Sequence, residues 1–164
     1  MQVSKKSPAS TDSSQKGLLI MKAVNEIKIT LESRSVNEGF ARSAVAVFAS
    51  QLDPTVEEIT EIKTAVSEAV TNCIVHAYKD DIGLIYINAK IFDDNSIRIR
   101  IRDNGCGIQN IEQAMEPTFT TDAASERAGL GFAIMQSFTD KIKVFSTLGK
   151  GTSVVLQKKI KSKK

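Results

Sequence analysis

The sequence predicts an α/β two-layer sandwich of the α+β kind, with a mostly antiparallel, mixed sheet and three main helices on one face. Three observations predict it. Short runs alternate apolar and polar residues, as at Ile27, Ile29 and Leu31 or Ile97, Ile99 and Ile101, and this is the period of half-buried strands. Other stretches place apolar residues at helical spacing, most clearly from Val56 to Ile74. The resulting order β-α-α-β-β-loop-α-β-β brings consecutive strands together as hairpins with the helices layered on one side.

Each element has its own justification. Ile27, Ile29 and Leu31 alternate with Glu26, Lys28 and Thr30, which gives the first strand. Ser35 is placed to cap a helix whose apolar residues are Val36, Phe40, Ala44, Val47 and Phe48. By this periodicity Phe40 is a core residue. Asp53-Pro54 breaks that helix and opens the next. The second helix buries Val56, Ile59, Ile62, Val66, Ala69, Val70, Cys73 and Ile74. Leu84–Phe92 is an apolar, β-branched strand, and Asp93, Asp94 and Asn95 turn it back. In the next strand the isoleucines alternate with Arg98, Arg100 and Arg102, so one face is buried and the other basic and solvated. Residues 103–127 hold turn signals and one short helix, Ile111–Met115, and a stretch this weakly structured inside a domain is usually functional. Leu130–Phe138 is the third helix. Ile142–Ser146 and Thr152–Leu156 are final strands around Leu148-Gly149-Lys150-Gly151.

The 164 residues make one domain, and the 41% hydrophobic and 25% charged fractions are those of a globular chain. Residues 1–20, rich in Ser, Lys and Thr, read as a disordered extension, 21–157 as the folded domain and 158–164 as a basic, solvated tail. The extension carries +2 and the tail +5 against a total of +3, so the body is acidic and lacks the basic face of a nucleic-acid binder. Two cysteines, Cys73 and Cys106, and one histidine, His76, are too few for a structural zinc site. The thiols fit a reducing compartment, and no apolar run spans a membrane or forms a secretory signal, so the expected location is cytoplasmic.

Several short patterns carry chemistry. Glu68 and Asn72 lie one turn apart on the polar side of the second helix. Alone, this is either a solvated surface or an oxygen-ligand site, with an amide oxygen for Mg²⁺ and a carboxylate to accept a proton. Asp103-Asn104-Gly105-Cys106-Gly107-Ile108 follows a strand. Its glycines permit close approach to a ligand, its carboxylate suits an exocyclic amine, and its plain alternative is a turn. Gly129-Leu130-Gly131-Phe132 opens the third helix as either an anion site or a packing segment. Neither it nor Gly149-Lys150-Gly151-Thr152 is the phosphate loop of P-loop enzymes.

Together, in this order, the patterns resemble the ATP-binding fold shared by gyrase B, Hsp90, histidine kinases and MutL, over Val24 to Leu156. Ser67-Glu68-Ala69-Val70-Thr71-Asn72 followed by His76-Ala77-Tyr78 is similar to the serine-kinase branch that serves as bacterial anti-sigma factors. Phe40-Ala41-Arg42 and Pro117-Thr118-Phe119-Thr120-Thr121 resemble in particular the sporulation branch acting on the first forespore sigma factor. That family begins close to Met21, so residues 1–20 depart from it.

The resemblance implies an anti-sigma factor that is also a serine-protein kinase. It would sequester a sporulation sigma factor and use Mg-ATP to phosphorylate a serine of its anti-anti-sigma antagonist. The alternatives are the stress-response anti-sigma kinase, or a nucleotide-dependent binding module or ATPase without kinase activity. It implies a homodimer, while the acidic body and the lack of an apolar span leave neither nucleic acid nor membrane as an expected partner. It gives Glu68 the proton, Asn72 the Mg²⁺ and Asp103 the adenine amine. It places His76, Ala77, Gly105, Gly107, Ile108 and Thr152 around the nucleotide, and Gly129, Leu130, Gly131 and Phe132 at the phosphates of ATP or ADP. Residues 116–128 become a lid, with Thr120, Thr121 and Arg127 near the γ-phosphate, and Arg42 becomes a partner contact.

Overall fold

The computed structural model describes residues 20–117 and 130–161. Thr120, Thr121, Arg127, Gly129 and most of the expected lid therefore lie outside the described residues, as do residues 1–19. The strands are β1 (Ala23–Glu32), β2 (Leu84–Phe92), β3 (Ser96–Asp103), β4 (Lys141–Thr147) and β5 (Gly151–Lys159). They form one sheet in the order β1-β2-β3-β5-β4. All four pairings are antiparallel, so the mixed character expected of the sheet is not seen among the described residues.

The period-two pattern sets the two faces. Ile85, Ile87, Ala89 and Ile91 of β2 and Ile97, Ile99 and Ile101 of β3 are all buried, with Ile87 opposite Ile101 and Ile91 opposite Ile97. Burying each isoleucine is worth about 1.5–3 kcal/mol, and this row drives the packing of helices onto the sheet. On the other face, the Arg98 guanidinium lies 4.7 Å over the Phe92 ring and that of Arg102 4.4 Å over Tyr86. Arg100 Nε donates to Ser153 Oγ at 2.8 Å.

The covering helices are α1 (Val36–Ala49), α2 (Val56–Asn72) and α4 (Gly131–Phe138), with α2 packed against both others; α3 (Ile111–Met115) is a short helix beside the cavity described below. A capping box starts α2: Glu58 N–H donates to Thr55 Oγ1 at 3.1 Å, and Thr55 N–H donates to the Glu58 carboxylate at 2.9 Å. The helix opens at Thr55 rather than at Asp53, which instead ends the preceding turn with a left-handed φ of 50°.

Two expectations are corrected. The apolar stripe assigned to α1 is not its core face: Val36, Phe40 and Val47 are 78%, 61% and 72% exposed. Of the predicted stripe Phe48 is buried as expected, and the core adds Ala41, Val45, Ala46 and Ala49, mostly small residues that let α1 approach α2 closely. On α2, Val56 is likewise exposed, while Ile62, Val66, Ala69, Val70 and Cys73 are buried as the spacing predicts. The second correction concerns the tail. β5 continues to Lys159, and Ile160 is buried. Lys158 Nζ donates to Phe138 O at 3.1 Å and sits 2.7 Å from the Glu61 carboxylate. The start of the lysine run is thus part of the body, its aliphatic stem and paired charge filling the gap beneath α2 and α4.

Candidate functional site

A cavity of about 1480 Å³ opens between the C-terminal half of α2, the end of β3 and the start of α4. That exceeds the roughly 300–1,000 Å³ typical of small-molecule pockets. The fold brings Glu68, Asn72, His76, Ala77, Asp103, Gly107, Ile108, Gly131, Phe132 and Thr152 into its lining. Gly105 borders it through the backbone, and Leu130 caps α4 beside it. Arg42 is elsewhere: its Nη1 pairs with Glu38 at 3.3 Å, and it lines a small groove with Thr60, Lys63, Thr64 and Ser67.

One end of the cavity is built around Asp103. As the last residue of β3 it follows the isoleucine row inward, and it is only 5% exposed. A buried carboxylate needs partners. Its Oδ1 accepts from Gly105 N–H at 2.9 Å and Thr152 N–H at 3.2 Å, and Cys73 Sγ lies 3.6 Å from its Oδ2. Burial, then the charge of Asp103 and its hydrogen bond, push the Cys73 thiol well up, so it stays protonated and able to donate.

The loop after Asp103 is clamped from both sides. After α2 the chain makes one wider turn, Cys73–Ala77, in which Tyr78 N–H donates to Cys73 O at 3.3 Å. Ala77 O then accepts from Cys106 N–H at 2.9 Å. A Cβ on Gly105 would come within 2.3 Å of Ala77 O, so only glycine fits. From the other side, Gly149 N–H donates to Cys106 O at 2.7 Å, and Ile108 N–H to Ser146 Oγ at 2.8 Å. Ser146 Oγ in turn meets Thr152 Oγ1 at 2.8 Å. Tyr78 Oη accepts from Asn104 N–H at 2.8 Å and donates to Leu84 O at 2.6 Å. Burial pushes its phenol up, as does the nearby Asp103 charge, against the opposing Asn104 bond.

Glu68, Asn72 and the start of α4 also line the cavity. A Cβ on Gly131 would lie 3.2 Å from Glu68 Oε2 and 3.5 Å from Asn72 Oδ1, so both side chains face the N-terminus of α4. That helix has no side-chain cap on its first turn. An uncapped helix start offers N–H groups and the positive end of the helix dipole to an anion.

Cys73, Tyr78 and Ser146 shape the site although none of them is a candidate site residue by sequence. Each acts through a partner more than 25 residues away in the chain, which no local pattern shows. Cys106 is exposed, its Sγ 3.2 Å from His76 O. Among the described residues no helix is long and apolar enough to cross a membrane.

The model of the histidine kinase-like ATPase domain family matches residues 29–158. The chain is 57% identical over 136 residues to the anti-sigma F factor of Caldanaerobacter subterraneus subsp. tengcongensis, covering 83% of this chain and 94% of that one. It is 48% identical over 141 residues to the anti-sigma F factor of Geobacillus thermodenitrificans, covering 85% and 96%. Its fold is similar to a solved structure of RsbU and RsbW domains from Mycobacterium tuberculosis, with a TM-score of 0.60 at 18% identity, over 83% of this chain and 32% of that one. It is also similar to the histidine kinase domain of the Erythrobacter litoralis blue-light activated kinase, with a TM-score of 0.52 at 20% identity, over 75% and 61%. An ATPase-type sandwich, with a buried Asp and a Glu/Asn helix face lining one cavity, thus coincides with close sequence identity over nearly the whole of its relatives: the chain belongs to the anti-sigma F factors, within the histidine kinase-like ATPase domain family.

Proposed function

We propose that the cavity binds Mg-ATP and that the chain uses it to phosphorylate a serine of a small anti-anti-sigma protein, while sequestering a sporulation sigma factor. The observation that carries this is the convergence of Glu68 and Asn72 on the start of α4, in a cavity that Asp103 also lines.

Asp103 is the adenine reader. Its carboxylate only accepts hydrogen bonds, so it takes the adenine amine and is repelled by the carbonyl that guanine presents at the same place. The phosphates run toward α4, where Leu130, Gly131 and Phe132 present the helix start. Glu68 takes the proton of the incoming serine hydroxyl. Among the described residues no group of three or more His, Cys, Asp or Glu forms a metal cage. A single amide oxygen at Asn72 beside the phosphate end fits Mg²⁺, which keeps waters and takes phosphate oxygens for most of its shell. When bound, the ion supplies charge neutralisation at the transferring phosphoryl group.

Sequestration uses a different surface. The exposed Val36, Phe40 and Val47 and the Arg42–Glu38 pair make α1 the contact for the sigma factor. The working form is a homodimer, and a sigma-factor partner places it in the cytoplasm. The test incubates the protein with labelled ATP and candidate antagonists. Label on a serine of one antagonist supports the kinase; phosphate release with no labelled protein points to an ATPase, and neither outcome with tight sigma capture points to a binding module alone.

A further inference from the structure

The Asp103 carboxylate is held at three points, and one of them is a thiol. Two backbone N–H groups, from Gly105 and Thr152, converge on Oδ1. Oδ2 has Cys73 Sγ at 3.6 Å, and Cys73 is 4% exposed. Two backbone bonds to one oxygen leave the other end of the carboxylate free to swing about the first. The Cys73 proton also has a second acceptor, Ala69 O at 3.4 Å one turn back on α2. A charged carboxylate is the stronger acceptor, and in a buried site the difference is larger than in water.

We propose that Cys73 is a positioning residue for nucleotide recognition: its S–H holds Oδ2, fixing the carboxylate plane of Asp103 in the orientation that meets the adenine amine. Cys73 directly follows Asn72, so the same turn of α2 carries the candidate Mg²⁺ ligand on its cavity face and the Asp103 support beneath it. The shape of the adenine reader is therefore tied to the helix that serves the phosphate end. The inference rests on Asp103 being that reader.

The test is calorimetry of ADP and GDP binding to the full chain, independent of any kinase assay. Cys73→Ala removes the donor; Cys73→Ser keeps one. Cys73→Ala should weaken ADP by about 3–10-fold, the scale of one modest hydrogen bond, and narrow the preference over GDP. Cys73→Ser should recover to within about 2-fold of wild type, because a hydroxyl donates at least as well as a thiol. A packing role instead predicts that Ser is no better than Ala, and that result overturns the proposal. In an Asp103→Asn background, Cys73→Ala should cost less than about 2-fold, since the two residues act through one contact. Asp103→Asn weakening ADP while Cys73→Ala binds as wild type would remove Cys73 alone. Asp103→Asn with unchanged ADP affinity would remove the adenine reading and this inference with it.

Discussion

α1 and α2 lie side by side over the same sheet, and both alternate apolar and polar residues, yet they use the alternation differently. On α2 the large apolar residues Ile62, Val66 and Val70 go to the core, and the polar face turns Glu68 and Asn72 into the cavity. On α1 the core takes mainly small residues, and three large apolar ones, Val36, Phe40 and Val47, face outward. The difference teaches that apolar periodicity marks a face to be covered, not what covers it. In α2 the cover is the sheet beneath it. In α1 one apolar face meets α2 and the other is exposed, which is why it is proposed as the sigma-factor contact.

The largest expected effect separates chemistry from architecture on α2. Glu68→Gln keeps size and polarity but removes the basic oxygen. Serine phosphorylation should fall by roughly 10²–10⁴-fold, the usual worth of a general base, with ATP binding retained. Asn72→Ala should weaken Mg²⁺-dependent ATP binding as well. A Glu68→Gln protein that labels its antagonist at the wild-type rate would leave α2 with a binding role only.

Ile62 tests the core face of the same helix. It is 1% exposed beneath α2, so Ile62→Ala should lower the unfolding free energy by about 2–5 kcal/mol, read from a denaturant midpoint. A loss no greater than that of an exposed α1 residue would erase the contrast between the two helices.

The end of α2 rests on Asp103, which links helix and sheet through Cys73. Asp103→Asn puts an amide donor where the carboxylate accepts, and should weaken ATP by about 1–3 kcal/mol. Equal calorimetric affinities in the two proteins would take Asp103 out of nucleotide recognition.

These positions also show what the sequence made legible. β2 and α3 have the limits their patterns predict, Leu84–Phe92 and Ile111–Met115, because period and turn residues are local properties. The Glu68/Asn72 pair and the Asp103 loop were visible as motifs, and the fold places them on one cavity. α1 differs because hydrophobicity alone cannot separate a core stripe from an exposed one, and because Ala41 and Ala49 look unremarkable until another helix presses on them. The lysine run looked solvated because composition hides Ile160 and the pairing of Lys158 with Glu61. The bonds from Tyr78 and Ser146 needed the sheet register, which brings the β4–β5 turn against the Asp103 loop.

A smaller effect comes from the first turn of α2. Burial raises the Glu58 carboxyl, but the N–H groups of Lys161 and Thr55 outweigh it, so the net shift is downward. A carboxylate lowered by folding stabilises the protein above its unfolded value, and that contribution fades as pH falls through the folded value. An amide can accept from only one of these two N–H groups through its oxygen, so Glu58→Gln should cost about 0.5–1.5 kcal/mol at neutral pH, the scale of one lost hydrogen bond. The gap to wild type should close in acid, where Glu58 is itself neutral. Melting curves taken stepwise from pH 7 into acid check it, and a gap that stays constant would mean the charge of Glu58 contributes nothing.

The smallest stability effect belongs to the outward face of α1, and it is the sharpest test of the comparison. Phe40 and Val47 touch solvent over most of their surface, so Phe40→Ser and Val47→Ser should move the unfolding free energy by no more than about 0.5 kcal/mol. Helix propensity barely separates the residues exchanged, which leaves little else for the fold to lose. Capture of the sigma factor should suffer instead. An aromatic anchor at the centre of an interface commonly costs more than about 1 kcal/mol when truncated, so a drop of tenfold or so in affinity is expected for Phe40→Ser. Nucleotide binding should be untouched, since neither residue lines the cavity. Matched melting curves and ADP titrations with weakened sigma capture would confirm that α1 presents a docking face. Unchanged sigma capture would move the sigma contact off this stripe, and a large loss of stability would mean that the stripe is part of the fold after all.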